Sequence, residues 1–285
     1  MLESEKHSFA NPEVLKFYTA LSFNYYSSIE KQAESITNSK GALAANVPIL
    51  PFLDKNIRVV DIGCGPGLFA NLMAYNHPTL DVTGVDFNPV AIERAESVAR
   101  YLSISTKFET ADLFSFSPSK RFDLVVSIGV LHHTNNCLAA IEHLIANTMT
   151  PDGHIYIGLY HTYGRRPFLR YFENLKTKGA SEAELYTNYK KLHSNLSDET
   201  HLKSWFRDQV LHPHETQHTL REICQLFDNF GVELLSTSIN RFQSFPDRTK
   251  LFELEENYEN LGKEVLADGR YFPGFFTLLG RKPTN

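Results

Sequence analysis

The sequence has few of the residues that mark secreted, disulfide-linked or membrane-spanning proteins. Its 285 residues include three cysteines, Cys64, Cys137 and Cys224, whose wide spacing and odd number fit neither a disulfide framework nor a CxxC metal site. No apolar run approaches the roughly 20 residues that a membrane-spanning helix needs, and the first residues, MLESEKHSFANPEV, lack the apolar core of a signal peptide. We therefore expect a soluble protein of a reducing compartment, the cytoplasm, with no membrane partner.

An excess of positive charge is also missing. Lys and Arg number 28 against 33 Asp and Glu, which gives a formal net charge of −5. Because a protein that coats nucleic acid needs a basic surface, this balance disfavours general nucleic-acid binding. Apolar residues make up 42% and aromatic residues 12% of the chain, which excludes a disordered protein.

Short β-branched runs alternate with helical patterns in the middle of the chain. The predicted strands are 57–62, 81–86, 104–109, 122–128 and 153–160, followed later by 232–239 and 272–281. Strands that alternate with helices of this length predict an α/β fold, a parallel sheet with helices on both faces.

Two long helical stretches interrupt this pattern, and they divide the chain into four segments. Residues 1–56 form an N-terminal helical extension, 57–160 the sheet core, 161–218 a helical insertion, and 219–285 the remainder of the core. No flexible linker separates them. We therefore expect the extension and the insertion to pack onto the sheet as a helical cap.

The run that follows the first strand, Asp61-x-Gly63-x-Gly65-x-Gly67, is the most informative in the chain. Glycines let the backbone turn sharply and approach a ligand, and the following helix offers unpaired N–H groups. The dinucleotide fingerprint GxGxxG would place a glycine at position 68, where Leu68 stands. The acid at Asp61 would repel a pyrophosphate but suits a cationic amino group or sulfonium.

Three further features follow strands of the same sheet. Asp86 ends the second strand, where a carboxylate can accept both hydroxyls of a ribose. Asp112 follows the third strand and can accept from an exocyclic amine, although a simple turn residue is the alternative. Small residues in 122–133 end the fourth strand. Because ligands bind outside the carboxyl ends of parallel strands, these positions together predict a nucleoside site.

The segments Val59–Gly67, Gly84–Phe87, Ala111–Leu113 and Phe122–His133 together resemble the successive motifs of class I S-adenosylmethionine (SAM)-dependent methyltransferases. The small-molecule branch that includes the ubiquinone/menaquinone C-methyltransferases looks most similar, over about residues 57–160. The resemblance implies SAM as the cofactor. It also implies a Rossmann-like, seven-stranded, mostly parallel sheet whose final strand runs antiparallel.

The resemblance further assigns cofactor-binding roles. It implies that Asp61 and the glycine loop hold the methionine end, Asp86 the ribose, and Asp112 with Leu113 the adenine. The full set of cofactor-binding candidates is Asp61, Gly63, Cys64, Gly65, Gly67, Asp86, Phe87, Asp112, Leu113, Ser127, Gly129 and His132.

Methyl transfer from a sulfonium leaves the protein to align, desolvate and sometimes deprotonate the acceptor. Polar groups after the fourth and fifth strands and in the insertion are therefore the catalytic candidates: His132, His133, Tyr160, Asp208, His212 and His214. For the two adjacent histidines, cofactor packing or helix capping is the favoured alternative to base catalysis.

Acceptor contacts are expected from the helical cap. The stretch 161–178 is basic with interleaved aromatics, which is typical of an RNA surface, of a pocket for an acidic or aromatic molecule, or of a solvated helix face. The acceptor-binding candidates are Tyr25, Tyr26, Tyr160, His161, Tyr163, Arg165, Arg166, Trp205, Gln209 and His218.

The string His214-Glu215-Thr216-Gln217-His218 matches HExxH of zinc proteases, which requires both histidines on one helix face. Pro213 precedes it and Thr219 is positioned to cap the next helix, so we expect a loop and no metal. Whether His212, His214 and His218 form a metal-binding cluster stays open.

The favoured function is a SAM-dependent methyltransferase that methylates an O, N or C nucleophile of a small organic acceptor beneath the cap. One alternative is an RNA nucleoside methyltransferase, disfavoured by the net charge and by Ser127–Val130 where an Asn-Pro-Pro-Tyr-type motif would stand. The other is a non-catalytic SAM-binding regulatory subunit. A homodimer remains open.

Overall fold

The computed structural model describes residues 12–38, 47–193 and 196–284. Its seven strands are β1 (Arg58–Ile62), β2 (Asp81–Asp86), β3 (Lys107–Thr110), β4 (Phe122–Ile128), β5 (Met149–Tyr160), β6 (Glu233–Thr237) and β7 (Phe275–Arg281). They form one sheet in the order β3-β2-β1-β4-β5-β7-β6. Strands β1 to β5 pair in parallel, and β7 runs antiparallel to both β5 and β6. The expected seven-stranded, mostly parallel α/β sheet is confirmed.

Helices cover both faces of this sheet. In the described part of the chain they are α1 (Pro12–Ala20), α2 (Ile29–Asn38), α3 (Leu50–Leu53), α4 (Leu68–Asn76), α5 (Pro89–Leu102), α6 (Cys137–His143), α7 (Thr162–Thr177), α8 (Glu182–Leu192), α9 (Glu199–Phe206), α10 (Leu220–Asn229), α11 (Thr249–Glu256) and α12 (Tyr258–Ala267). Wider π-helical turns extend α6 through Leu144–Thr148 and α9 through Arg207–Leu211.

Side-chain caps set where several helices begin. The Asn88 side chain accepts from the Val90 amide at the start of α5, and Thr219 accepts from the Glu222 amide at the start of α10. Ser181 and Glu184 cap each other's backbone amides in a complete capping box. Within the N-terminal extension, residues 1–11 and 39–46 lie outside the described residues.

Tertiary contacts shape two parts of the helical layer. α7 begins at Thr162 because the His161 ring accepts from the amides of Tyr163 and Gly164 and caps it. The acidic segment 249–267 forms two helices, α11 and α12, with a break at Asn257. Glu255 at the end of α11 is buried against His161, a contact between distant segments that local periodicity does not contain.

The apolar core has three parts. One cluster on each face of the sheet holds the helices to the strands. A third cluster lies inside the cap, where α7, α8 and α9 pack on one another through residues such as Phe168, Tyr189 and Phe206. Leu266 of α12 also packs there, so the segment after residue 219 contributes to the cap as well as to the sheet. Within the described ranges, no helix is long and apolar enough to cross a membrane.

Candidate active site

A cavity of about 630 Å³ lies at the carboxyl ends of the strands, beneath α1 and α9. This volume lies within the ~300–1,000 Å³ typical of small-molecule sites. We call the part formed by residues 61–66, 85–88 and 111–114 the glycine-loop half. The cap half is formed by Tyr18, His133, Tyr160, Trp205, Asp208, Gln209, Tyr271 and Phe275.

The glycine loop follows β1 and turns tightly against β2. Gly63 has a φ of +73°, and the amides of Gly63 and Cys64 both donate to the Val85 carbonyl, at 2.7 and 3.0 Å. A Cβ at Gly63 would lie 2.4 Å from the Val130 side chain. The loop therefore requires glycine there both for its backbone conformation and for close packing.

Asp86 holds the glycine loop by its carboxylate. One oxygen, Oδ2, accepts from the Gly65 amide at 2.8 Å, and Oδ1 accepts from the Asn88 amide at 2.8 Å. Burial raises the pKa of Asp86 to about 6, although these two hydrogen bonds favour the ionised form. Each carboxylate oxygen has a second lone pair, which leaves Asp86 able to accept from ligand hydroxyls.

Asp61 lines the cavity with an unsatisfied carboxyl group. Its Oδ2 atom is buried and has no hydrogen-bond partner within residues 12–38, 47–193 and 196–284. Burial, followed by repulsion from Asp86, raises the pKa of Asp61 to about 7. A buried carboxylate oxygen without a partner is costly, so this position fits a ligand that brings a positive charge or a donor.

The remaining cofactor-binding candidates fall into two groups. Cys64, Phe87, Asp112, Leu113 and Gly129 line the cavity together with the residues above. Gly67 and Ser127 do not: Gly67 packs against Ala95 of α5, and the Ser127 hydroxyl donates to the Ile62 carbonyl between β4 and β1. Gly67 and Ser127 therefore support the glycine loop and do not contact a ligand in the cavity.

The cap half is organised around Asp208, which lies in the π-helical turn after α9. The Tyr18 hydroxyl donates to its Oδ1 at 2.5 Å, and the Tyr160 hydroxyl donates to Oδ2 at 3.4 Å. The widened turn places Asp208 inward, where it is 4% exposed, and burial raises its pKa. Helix α1 is thereby held over the cavity.

His133 lines the cavity and carries a ring nitrogen with a free lone pair. Its Nδ1 lies 2.9 Å from the His214 carbonyl, which can only accept, so the ring proton is on Nδ1. Its buried Nε2 lies 3.7 Å from Asp208 Oδ1 and has no hydrogen-bond partner among the described residues. Burial lowers the pKa of His133 to about 4, so the ring is neutral near pH 7.

His212 lies behind His133, with ring centroids 3.8 Å apart, and does not line the cavity. Its Nδ1 accepts from the His214 amide at 3.0 Å, which places the ring proton on Nε2. The ligand atoms of His133, Asp208 and His212 lie within 4.8 Å of one another. Because His212 offers an N–H there, the arrangement does not suit a metal ion.

The HExxH string lies in a loop before α10, as expected. His214 Nε2 lies 3.0 Å from the Thr134 carbonyl, and His218 pairs with Thr216 and Glu222. The structure therefore does not bring His212, His214 and His218 together as one cluster.

His132 lies outside the cavity, between the strand ends and the loop that contains Thr216. Its ring packs on Tyr160 with centroids 4.2 Å apart, and its carbonyl accepts from the Thr216 amide at 2.8 Å. These contacts make it a packing residue of the loop, which differs from the cofactor packing or helix capping favoured above.

Several acceptor candidates also point away from the cavity, because α7 begins directly after β5 and directs their side chains elsewhere. His161 binds Glu255, and Arg166 pairs with Glu259 at 3.4 Å beneath the Tyr163 ring. The candidates that do not line the cavity are Gly67, Ser127, His132, His212, His214, Tyr25, His161, Tyr163, Arg165, Arg166 and His218. Those that do in the cap are Tyr26, His133, Tyr160, Trp205, Asp208 and Gln209.

Arg165 lies directly behind the cap half and is fully buried. It donates to the two oxygens of Glu215 at 3.1 and 2.7 Å and to the Gln209 carbonyl at 2.9 Å. Its guanidinium lies 3.7 Å from the centroid of the Tyr160 ring. Arg165 therefore positions Tyr160 and the loop that contains Glu215, and it is not itself exposed to a ligand.

Among the residues of the cap half, sequence reasoning missed Tyr18, Tyr271 and Phe275. Tyr18 had a signal, since it belongs to the helical apolar pattern of α1, but an aromatic at that spacing usually packs in a core. Tyr271 and Phe275 precede and open β7, and no local pattern distinguishes them from ordinary strand residues.

Comparison with known proteins identifies the family. A family model described as "Methyltransferase domain" matches residues 36–237. A ubiquinone biosynthesis O-methyltransferase of Alkalilimnicola ehrlichii is 30% identical over 112 residues, which cover 39% of this chain and 43% of that protein. A trans-aconitate 2-methyltransferase of Streptomyces avermitilis is 35% identical over 91 residues, covering 31% and 33%. The chain thus matches less than half the length of these relatives.

Two solved structures share the fold. PKMT2 from Rickettsia typhi in complex with AdoHcy aligns with a TM-score of 0.57 at 16% identity, covering 82% of this chain and 50% of that chain. Magnesium protoporphyrin IX methyltransferase from Synechocystis PCC 6803 with bound SAH aligns with a TM-score of 0.51 at 15% identity, covering 95% and 93%. Because the family model spans most of the chain and the sheet has the order described above, this protein belongs to the class I methyltransferase-domain family.

Proposed function

We propose that the protein transfers the methyl group of SAM to an O, N or C nucleophile of a small organic acceptor. One observation carries the proposal: a single cavity joins the glycine-loop half, with its unpartnered Asp61 oxygen, to the cap half around Asp208 and His133. A cofactor and a second molecule therefore have adjoining places, which a chain that only binds SAM does not need.

The residues of the glycine-loop half fit SAM. The free Asp61 oxygen suits its cationic amino group or sulfonium, and the remaining lone pairs of Asp86 suit ribose hydroxyls. We assign to Asp112, which also lines the cavity, the role of accepting from the adenine amine. When bound, SAM supplies a methyl group on a sulfonium, so the chain itself needs only to bind, orient and desolvate the acceptor.

The cap half supplies the groups for that task. Tyr18, Tyr160 and Trp205 provide an enclosing wall, and His133 Nε2 offers a neutral lone pair. We assign to His133 the role of accepting a proton or a hydrogen bond from the acceptor.

The RNA alternative loses its main support. Among the basic residues of 161–178, Arg165 is buried against Glu215, and Arg166 and Arg170 both pair with Glu259. The stretch therefore presents less free positive charge than its composition suggests, and phosphate contacts require free charge.

Calorimetry with SAM and S-adenosylhomocysteine (SAH) tests the cofactor assignment. We expect both to bind, and we expect Asp86→Ala to weaken both at least about tenfold, as the loss of hydrogen bonds to a charged group does. Asp152→Ala is the control, because Asp152 pairs with Arg281 on the surface and does not line the cavity. Binding of NAD in place of SAH would contradict the assignment.

Labelled SAM tests the reaction class. After incubation with a cell extract, we expect the labelled methyl group in the small-molecule fraction, and less of it with the His133→Asn variant. Label in RNA at physiological salt would instead support the nucleoside alternative, and absence of label with retained SAH binding would support a regulatory subunit.

A further inference from the structure

The cap half contains a buried carboxylate that has no cationic partner in the part of the chain that the structure describes. Among the described residues that line the cavity, none is Lys or Arg, and the acid of the cap half is Asp208. The neighbours of Asp208 are the hydroxyls of Tyr18 and Tyr160, the neutral ring of His133, and the ring of His212, which burial also keeps neutral. His212 lies behind His133 and does not line the cavity, so its N–H is not offered to a ligand. These groups orient the carboxylate and do not neutralise it.

The nearest arginine is already paired. Arg165 binds both oxygens of Glu215 and is separated from a ligand by the Tyr160 ring, since Tyr160 lines the cavity and Arg165 does not. When all three are ionised, Asp208, Arg165 and Glu215 leave one net negative charge in a buried site. Such a charge is costly, and it is neutralised by a proton on Asp208 or by a positive charge on a ligand.

The hydrogen-bonding groups around Asp208 also favour a donor. The Tyr18 hydroxyl donates to Asp208, and the Tyr271 hydroxyl donates to Gln209 Oε1 at 2.6 Å, so both protons are used within the protein. His133 Nε2 and the spare lone pairs of Asp208 are acceptors, with His133 Nε2 buried and unpartnered. An ammonium group, which has only donors, matches this set.

Aromatic rings complete the surroundings. Tyr160 and Phe275 stand at 84° with centroids 6.0 Å apart, and Trp205 and Tyr271 stand at 57° with centroids 6.1 Å apart. These four rings line the same cavity as Asp208, and aromatic faces bind organic cations through cation–π attraction.

We propose that the methyl acceptor is an amine that binds as its ammonium ion between Asp208 and the aromatic rings of the cap half. The ammonium passes one N–H proton to His133 Nε2, and the lone pair so freed attacks the methyl carbon of SAM, so that the N–C bond forms as the S–C bond breaks and SAH leaves. This proposal rests on the methyl-transfer function proposed above and names the chemical class of its acceptor. A carboxylate acceptor at the same place would add a second negative charge to the buried set, which explains why the structure favours amines over acids.

Matched amine and acid ligands test this charge preference without requiring the natural acceptor. The full chain, saturated with SAH, is titrated calorimetrically with benzylamine, phenethylamine and phenylpropylamine, and with the carboxylates of the same skeletons. We expect at least one amine to bind about tenfold or more tightly than its acid. The reason is that an attractive contact between opposite charges in a site without water contributes at least this difference in affinity. We expect Asp208→Asn to reduce this ratio by about tenfold through weaker amine binding.

Two control measurements accompany the variant. Glu222→Gln removes a carboxylate that pairs with His218 outside the cavity, and it should leave the amine-to-acid ratio unchanged. The SAH affinity and unfolding midpoint of Asp208→Asn should match those of the wild type. If that variant does not fold, the amine-to-acid ratio of the wild type decides.

Four results would overturn the proposal: acids that bind as tightly as their amines, no binding by any pair, an unchanged ratio in folded Asp208→Asn, or displacement of the amine by Mn²⁺ in an Asp208-dependent way. The last would identify the cation as a metal ion. Failure of SAH to bind the wild type would instead remove the proposed function itself, so the two failures are distinguishable.

Discussion

The two halves of the cavity are built from the chain in different ways. The glycine-loop half comes from the ends of three successive strands within residues 61–114. The cap half joins Tyr18 to Asp208 across 190 positions of sequence, and Gln209 to Tyr271 across 62. The difference shows that a binding site formed at strand ends can be recognised from a sequence motif. A binding site formed by helices that pack over the sheet cannot.

The halves also differ in the ionisable groups that they bury. Burial raises the pKa values of Asp61 and Asp86 in the glycine-loop half, and it lowers those of His133 and of His212 behind the cap half. In each case burial disfavours the charged form. The carboxylates of the first half therefore become negatively charged when a cation binds, while His133 near the second remains a neutral acceptor at Nε2.

The largest expected effect is a loss of stability in the cap half that leaves ligand binding in the glycine-loop half unchanged. Arg165→Met leaves Glu215 buried without its partner, and we expect the free energy of unfolding to fall by about 3–5 kcal/mol in urea denaturation. SAH affinity should change little, because the glycine-loop half does not contact Arg165. Arg166→Met is the matched control: its ion pair with Glu259 is half-exposed, so the loss should be under about 1 kcal/mol. Equal losses in the two variants would contradict the role given to Arg165.

A smaller effect is expected within the glycine-loop half. Gly63→Ala places a Cβ against Val130 at a positive φ, so it should cost roughly 1–3 kcal/mol and also weaken SAH binding. Gly129 has a φ of +79°, and a Cβ there would meet no atom within 4 Å, so Gly129→Ala isolates the backbone strain. If Gly129→Ala proved as harmful as Gly63→Ala, close packing of the loop would not be the cause.

The smallest effect is a pair of opposite pH dependences. The pKa of Asp61 is raised from 3.8 to about 7, so its contribution to stability is lost as pH rises through this interval. The pKa of His133 is lowered from 6.5 to about 4, so its contribution is lost as pH falls through that interval. As pH rises from 5 to 8, the free energy of unfolding of Asp61→Asn should increase relative to that of the wild type, and that of His133→Asn should decrease. Each change should be on the order of 1–2 kcal/mol.

Urea unfolding of the three proteins at the two pH values measures these slopes. The comparison with wild type at each pH removes the contributions of the other buried histidines, which titrate in the same range. Slopes of the same sign for both variants would contradict the opposite burial of charge in the two halves.

The sheet and the ligand-binding positions at its strand ends could be predicted because the sequence patterns that mark them are local. Alternating strands and helices, the caps at Asn88 and Thr219, and the glycines after β1 depend on residues only a few positions apart. The basic stretch after β5 misled for the converse reason: composition does not reveal that Arg165 is buried and that Arg166 is paired.

By itself the sequence determined the α/β class, the order of the strands along the chain and the carboxylates at the strand ends, since backbone periodicity and turn chemistry act over short distances. Only the tertiary structure decided that Tyr18, Asp208 and Tyr271 share one cavity, that His133 faces it while His132 and His212 do not, and that Asp208 lacks a cation. Packing of segments far apart in sequence determines these contacts, and burial there sets which groups carry charge.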